Sequence, residues 1–152
     1  MERVRRRDRR EPVMASPLDV QLILCDAAQA DSGSGKVHML GAGWSVTSSP
    51  SSHAVALLIK VPWDRANEKL GLALELRDAD GQPVVLSMPE GNAAVRAQGE
   101  LEVGRPAGIA PGSALDASFA LNVPPLPLAP GRYEWHVTVA GQIFSAFFTV
   151  RG

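Results

Sequence analysis

Cysteine and lysine are scarce in this chain of 152 residues. The single cysteine, Cys25, excludes an internal disulfide, so the fold must depend on a hydrophobic core, and a reducing, cytoplasmic setting is expected. Cys25 ends an apolar run and has no cationic neighbour in the sequence to lower its pKa, so we predict a buried, unreactive thiol. Twelve of the fifteen basic residues are arginine, and together with abundant alanine this usage is typical of a GC-rich bacterial genome.

Long apolar runs are absent as well. No stretch approaches the roughly 20 apolar residues that cross a bilayer, and no apolar segment follows the basic N-terminus. We therefore expect neither a membrane span nor a signal peptide. Aromatic residues make up only 5% of the chain and fall mostly at inward-facing positions, which argues against a stacking platform for nucleic acid.

The formal net charge of −1 is unevenly distributed. Residues 1–13 hold six arginines and three acidic residues, for a charge of +3, and the remainder holds nine basic and thirteen acidic residues, for a charge of −4. We interpret residues 1–17 as a flexible Arg-rich arm, or as sequence upstream of a start at Met14, with attachment to nucleic acid or anionic lipid as the alternative. Residues 18–152 are predicted to form one mildly acidic domain, without a nucleic-acid surface.

Motifs for catalysis or metal binding are missing from the chain. His38, His53 and His136 fall on three different predicted strands, and none has a second ligand at metal-binding spacing. No Gly-x-Ser-x-Gly nucleophile turn occurs. The sequence therefore predicts no catalytic residue, no cofactor-binding residue and no metal ligand, and hence a protein that is not an enzyme. A hydrolase whose Ser, His and Asp are assembled only by the fold stays open as a remote alternative.

Two short motifs resemble ligand loops but fit turns better. The run Ser32–Lys36 lacks the spacing of a phosphate-binding loop, and Val37 replaces its hydroxyl residue. The run Asp78–Gly81 begins like a calcium loop but lacks the later ligands. We expect each to connect two strands.

The most regular pattern lies at the end of the chain. In residues 132–139 apolar and polar side chains alternate strictly, as in a strand with one buried face. Ala140-Gly141 suits a two-residue hairpin turn. That turn predicts the inner-face pairs Tyr133 with Phe148, Trp135 with Ala146, and Val137 with Phe144, and it sets Val139 against Gln142.

Alternation recurs through the rest of residues 18–152. It predicts a second hairpin over Leu70–Met88, whose three-residue loop Ala79–Gly81 would set Leu76 against Val84, Leu74 against Leu86, and Leu72 against Met88. A weak helical pattern covers Asp26–Asp31, and one helical turn is allowed at Trp63–Lys69. The remaining predicted strands are Leu18–Ala28, Lys36–Thr47, His53–Val61, Ala93–Val103 and Leu115–Val123.

Eight or nine short strands joined by turns indicate an all-β protein, most simply an antiparallel β-sandwich, with a closed barrel as the alternative. The segment Leu128–Tyr133 resembles the tyrosine corner of immunoglobulin-like and fibronectin type III sandwiches, in which a Tyr hydroxyl bonds to backbone a few residues upstream. This resemblance implies an immunoglobulin-like sandwich of Greek-key type.

Three segments together resemble a family of small bacterial proteins of unknown function: Leu22–Ala28, Lys36–Trp44 and Leu126–Val139. The resemblance implies no activity, ligand or partner. Our leading hypothesis is a module that acts through protein contact or self-association, with the Trp63–Lys69 segment and the Arg105–Gly112 loop as candidate contact regions. The alternative is a small-ligand or carbohydrate-binding module with a solvent-facing ring at Trp44, Trp63 or Trp135.

Overall fold

The computed structural model describes residues 16–152, and these confirm an all-β protein. The only helical element among them is one 3-10 turn, Trp63–Arg65, so no helix in this range is long or apolar enough to cross a bilayer. The strands are β1 (Asp19–Cys25), β2 (Ala27–Asp31), β3 (Lys36–Leu40), β4 (Val46–Ser48), β5 (Ser51–Val61), β6 (Leu70–Arg77), β7 (Val85–Met88), β8 (Gly91–Ala94), β9 (Arg96–Leu101), β10 (Leu115–Leu126), β11 (Gly131–Val139) and β12 (Gln142–Arg151).

Two larger sheets share one hydrophobic core. The first has the order β1-β5-β10, and the second has the order β4-β12-β11-β6-β9. Alternate residues of each strand point toward the other sheet, because side chains in a strand alternate between its two faces. The buried side chains of this core include Val55, Leu57, Ile59, Leu72, Leu74, Leu76, Trp135, Val137 and Phe148.

The predicted register of the C-terminal hairpin is confirmed. Tyr133 lies opposite Phe148, Trp135 opposite Ala146, and Val137 opposite Phe144. Ala140 and Gly141 both have positive φ, at 48° and 82°, as the tight turn between two twisted strands requires. The strict alternation fixed this register because a slip by one residue would have turned every inner side chain outward.

The predicted Leu70–Met88 hairpin is wrong beyond its first residues. The backbone N–H of Val84 donates to the carbonyl of Leu76 (2.9 Å), but the N–H of Leu76 donates to Val95 instead (2.9 Å). Strand β9 then takes the place beside β6, and β7 and β8 form a separate two-stranded sheet.

Side-chain size explains why β9, and not the predicted strand after Gly81, pairs with β6. Strand β9 sets Ala97 and Gly99 opposite Leu74 and Leu72, where the predicted pairing would have set Leu86 and Met88. A Cβ atom on Gly99 would already lie 3.4 Å from the side chain of Leu72. The small residues therefore fill this position without crowding the core.

A third layer covers the back of the first sheet. The β2–β3 hairpin lies against the outer side of β5 and β10, where Cys25, Ala28, Ala54 and Ala56 form a small buried cluster with only small side chains at its centre. The side-chain amide of Asn122 accepts from the N–H of Ala28 (3.1 Å) and donates to its carbonyl (2.8 Å). Two hydrogen bonds from one amide fix β2 on β10 much as a neighbouring strand would.

Two predictions for the residues of this layer are wrong. Asp26–Asp31 is not helical, since Ala27–Asp31 forms a strand, and the predicted strands Leu18–Ala28 and Lys36–Thr47 are each broken in two. The breaks face each other: a Cβ atom on Gly41 would lie 2.1 Å from a carboxylate oxygen of Asp26. Only glycine allows this approach, and Gly41 also has a φ of 60°. The predicted arm, residues 1–17, lies outside the described residues except for Ser16 and Pro17.

Candidate functional site

The two segments predicted as contact regions meet at one end of the molecule. The guanidinium of Arg105 lies 4.4 Å from the centre of the Trp63 ring and donates to the Trp63 carbonyl through Nη2 (2.7 Å) and Nε (3.2 Å). The N–H of Asn67 donates to the carbonyl of Val103 (2.7 Å). Cation–π stacking and these hydrogen bonds hold the two segments together as one surface.

An open cleft of about 730 Å³ adjoins this surface, and we call it the end cleft. It is bordered by Trp63, by Gly112 at the end of the Arg105–Gly112 loop, and by Ala114 just after that loop. Its apolar or small lining residues are Pro17, Pro62, Trp63, Gly112 and Ala114, and its charged ones are Asp19, Lys60 and Asp64. Lys60 is paired with Asp116, so the carboxylates of Asp19 and Asp64 give the cleft a negative balance.

One buried arginine, Arg65, directly follows the cleft residues Trp63 and Asp64 in the chain. Arg65 is only 8% exposed, and its Nε and Nη2 donate to the two carboxylate oxygens of Glu68 at 3.1 and 2.8 Å. These hydrogen bonds lower the pKa of the Glu68 carboxyl and raise the pKa of Arg65. Arg65 Nη1 also donates to the carbonyl of Ser16 (3.2 Å), and the Ser16 hydroxyl donates to Asp64 (2.7 Å).

This brace was missed in the sequence. Its signal was the i, i+3 spacing of Arg65 and Glu68 inside a segment that was already expected to hold a helical turn. The contacts from Ser16 could not be inferred, because they join residues far apart in the chain. The result is a bidentate ion pair next to the cleft, connected to the lining residue Asp64 through Ser16.

A second polar group lies in the centre of the core. Trp135 Nε1 donates to His53 Nε2 (2.9 Å), and His53 Nδ1 lies 3.0 Å from the hydroxyl of Ser51. An indole only donates, so the proton of the neutral imidazole resides on Nδ1. His53 is 1% exposed, and burial lowers its pKa to about 4.

Neither Ser–His arrangement in the described residues has triad geometry. Both ring nitrogens of buried His53 are occupied, by Ser51 and Trp135, which leaves none for a carboxylate. On the outer face of β11 and β12, the Ser145 hydroxyl donates to Glu134 (2.6 Å), and His136 Nδ1 lies 3.6 Å from the same carboxylate. There the carboxylate stands between serine and histidine, whereas a triad needs histidine in the middle.

The remaining singled-out residues have structural surroundings. Burial, and secondarily the nearby Asp26, raise the pKa of the Cys25 thiol, opposite to what a reactive thiolate needs. Asp31 accepts from the Ser34 hydroxyl (2.8 Å) and the Gly33 N–H (3.0 Å), which lowers its pKa and closes the turn between β2 and β3.

The Asp78–Gly81 run is also a turn, since the Asp78 carboxylate accepts from the N–H of Asp80 (2.9 Å) and of Gln82 (3.0 Å). His38 is exposed on β3. Within residues 16–152, no three His, Cys, Asp or Glu side chains gather as metal ligands.

The three tryptophans differ in their access to solvent. Trp135 is completely buried, and Trp44 packs edge-on against His53 and Phe148, with centroids 5.5 and 5.8 Å away. The indole Nε1 of Trp44 is buried without a hydrogen-bond partner in the described residues. Of the three rings, Trp63 is the one that borders the end cleft.

Comparison with known proteins shows the family. Residues 21–147 match DUF6941, a family of unknown function, and because this match spans well over half of the chain, the protein belongs to that family. The resemblance inferred from three sequence segments is confirmed to this extent.

Other comparisons add little. No curated protein matches the chain. One solved structure that aligns is the Pseudomonas fluorescens alkylpurine DNA glycosylase AlkC bound to DNA containing an abasic site analog, at 16% identity and a TM-score of 0.38. The alignment covers 71% of this chain but only 28% of that chain, and a likeness this low supports no inference about fold or activity.

Proposed function

We propose that this chain is an immunoglobulin-like Greek-key sandwich. The strand order supports the proposal if β1, β5 and β10 are assigned as strands A, B and E, and β6, β9, β11 and β12 as C, C′, F and G. The Tyr133 hydroxyl donates to the carbonyl of Ala129 (2.6 Å), four residues upstream, as in a tyrosine corner. The hydrogen bond between His53 and Trp135 then joins strands B and F, the two strands that a disulfide joins in antibody domains.

We further propose that the protein is a non-enzymatic module that binds another protein at the end cleft. The single observation that supports this is the joining of the Trp63 and Arg105 segments into one braced surface beside an open cleft. Apolar walls around a few placed charges are typical of recognition sites. Two Ser–His arrangements in the described residues support a role without catalysis. The Ser51–His53 pair is buried, and in the Ser145–Glu134–His136 group the carboxylate lies between serine and histidine.

The lining of the cleft suggests the chemistry of the partner. An apolar side chain would fit between Pro17 and Trp63, and a basic side chain beside it would meet the carboxylates of Asp19 and Asp64. We therefore propose an extended segment of a partner protein that carries an apolar residue next to a lysine or arginine.

Site-specific photo-crosslinking of the full chain in its native host tests this proposal. A crosslinker at Ala114 should capture a defined partner, and one at exposed Gln98, on a distant strand, should not. Trp63→Ala and Asp64→Lys should each reduce the captured product at least about tenfold, since loss of a central aromatic or reversal of a contact charge removes much of the binding energy. Equal capture from both positions, or capture that ignores these changes, would contradict the proposal.

A small-ligand or carbohydrate-binding module is the second candidate. Trp63, which is partly exposed at the end cleft, favours it; Trp44 is also partly exposed but does not line the cleft, and Trp135 is completely buried. Iodide should quench the fluorescence of Trp63 and of Trp44 but not of Trp135, and in a Trp44→Phe background a ligand in the cleft should protect the remaining quenchable ring, Trp63. Protection by a soluble sugar without any crosslinked protein would favour this candidate over the first.

A further inference from the structure

The first described residues of the chain lie along the end cleft. The carbonyl of Ser16 accepts from Arg65 Nη1 (3.2 Å), and the hydroxyl of Ser16 donates to Asp64 (2.7 Å). The next residue, Pro17, lines the cleft itself. The point at which the chain enters the domain is therefore fixed beside the cleft.

The residues just before Ser16 cannot lie far from the end cleft. One residue spans at most about 3.5 Å of extended chain, so Pro12 stays within about 14 Å of Ser16 and Arg9 within about 25 Å. Residues 9–14 can therefore reach the cleft without any change in the described domain.

The chain before Ser16 and the end cleft carry opposite charges. Residues 1–15 hold six arginines and three acidic residues, for a charge of +3. The lining of the cleft has a negative balance from Asp19 and Asp64, both of which are exposed. The hydrogen bond from Ser16 leaves the charge of Asp64 in place, because a hydroxyl is neutral. Charge complementarity therefore favours contact between this part of the chain and the cleft.

The sequence of residues 9–14, Arg-Arg-Glu-Pro-Val-Met, has the chemistry proposed for the partner segment. Met14 offers an apolar side chain for the Trp63 ring, since an unbranched thioether adapts to irregular apolar surfaces and packs well on aromatic rings. The two arginines offer cations for the carboxylates. The guanidinium of Arg105 already lies 4.4 Å from the centre of the Trp63 ring, so Met14 would meet the part of the ring that lines the cleft.

We propose that residues 9–14 occupy the end cleft of their own chain and compete there with the partner segment. This inference rests on the proposed function, because it assigns a built-in competitor to the same cleft. A segment on a short tether has an effective concentration in the millimolar range, so even a weak contact is populated. The partner then binds only molecules whose cleft is free, and its apparent Kd rises by the inverse of that fraction.

The expected effect is a several-fold competition and not a complete block. Exposed ion pairs each contribute little, so the contact of residues 9–14 should be weak. If its Kd lies between the effective concentration and about a tenth of it, the apparent Kd of the partner rises about two- to tenfold. The segment thus sets a threshold that a tighter or more abundant partner exceeds.

Photo-crosslinking of the purified full chain, at micromolar concentration and without any partner, tests the intramolecular contact. A crosslinker at Ala114, which lines the cleft, should join to residues 9–14, and one at exposed Gln98 should not. The product should have the mass of a monomer and should decrease in about 0.5 M salt, because exposed charges are screened. No product at residues 9–14, or a product with the mass of a dimer, would overturn the proposal.

Charge reversal tests which part of the chain competes. Arg9→Glu with Arg10→Glu should reduce the intramolecular product at least about threefold and should raise the capture of the partner in the native host several-fold. Arg5→Glu with Arg6→Glu makes the same change in net charge farther from Ser16 and is the matched control, which should change both yields much less. Equal effects of the two pairs would show a diffuse attraction by charge and would refute the assigned segment.

The two proposals about the end cleft can fail separately. If a partner is captured but its yield ignores the changes at Arg9 and Arg10, the competition is refuted and the binding proposal stands. If the intramolecular product forms but no partner is captured with or without these changes, the binding proposal is refuted, and the competition with it.

Discussion

The two turns at Ala140-Gly141 and Asp78–Gly81 lead to different outcomes. Both reverse the chain with glycine at positive φ, at 82° for Gly141 and 77° for Gly81. The first continues as a long paired hairpin, β11–β12. The second keeps the Arg77–Pro83 bridge and the Val84–Leu76 hydrogen bond, and then the chain separates into the side hairpin β7–β8.

The difference lies in what the strands meet and not in the turns. The inner face of β11 contributes Trp135 and Val137, both completely buried, and Trp135 is bonded to His53 of the opposite sheet. The strand after Gly81 would have put Leu86 and Met88 against leucines of β6, where Ala97 and Gly99 fit instead. A good turn therefore starts a hairpin, but packing decides how far the pairing extends.

The largest expected effect comes from removing the ring that joins the first hairpin to the core. Trp135→Ala should lower the free energy of unfolding by about 3–5 kcal/mol, since it leaves a cavity and an unpaired His53 nitrogen. Leu86→Ala, in the side hairpin, should cost only about 1 kcal/mol because Leu86 is only half-buried. Urea unfolding measures both values, and equal losses would contradict the comparison.

The next effect depends on pH. The pKa of His53 is about 4 in the folded protein and about 6.5 in an unfolded chain, so between these values only the unfolded chain binds the proton. Stability should therefore be complete above pH 6.5, decrease as the pH falls toward 4, and lose at most about 3 kcal/mol from this group.

Urea midpoints measured between pH 7 and pH 4.5 test this effect. His38→Gln changes an exposed imidazole and is the matched control, which should keep the same slope of stability against pH. A wild-type midpoint that does not change over this range would show that His53 is not held neutral by the core.

The smallest effect should be the same in both turns. Gly141→Ala and Gly81→Ala should each cost about 1 kcal/mol, because a Cβ atom strains a backbone at positive φ even where space is open. Gly71→Ala is the control, since Gly71 lies in β6 with open space and no positive φ, and it should not destabilise the fold. Unequal losses in thermal or urea unfolding would mean that the turns themselves differ.

The candidate site was predictable in its parts but not as a whole. Trp63–Lys69 and Arg105–Gly112 were separate predictions, and the stacking of Arg105 on Trp63 joins them. The buried state of Arg65 depends on Glu68, three residues away, and on Ser16, which is distant in sequence. A contact between residues far apart in the chain, such as that between Arg65 and Ser16, produces no periodic pattern in the sequence.

The sequence alone determined which residues face inward along most strands and the full register of the C-terminal hairpin. Alternation with period two specifies a face, and a two-residue turn specifies a register, so both are local properties. Only the tertiary structure decided that β9 replaces β7 beside β6, that β2 and β3 fold over the alanines of β5, and that His53 bonds to Trp135. These three features depend on side-chain volume and on polar atoms that need hydrogen-bond partners in the core. Both requirements are met by contacts between segments far apart in the chain.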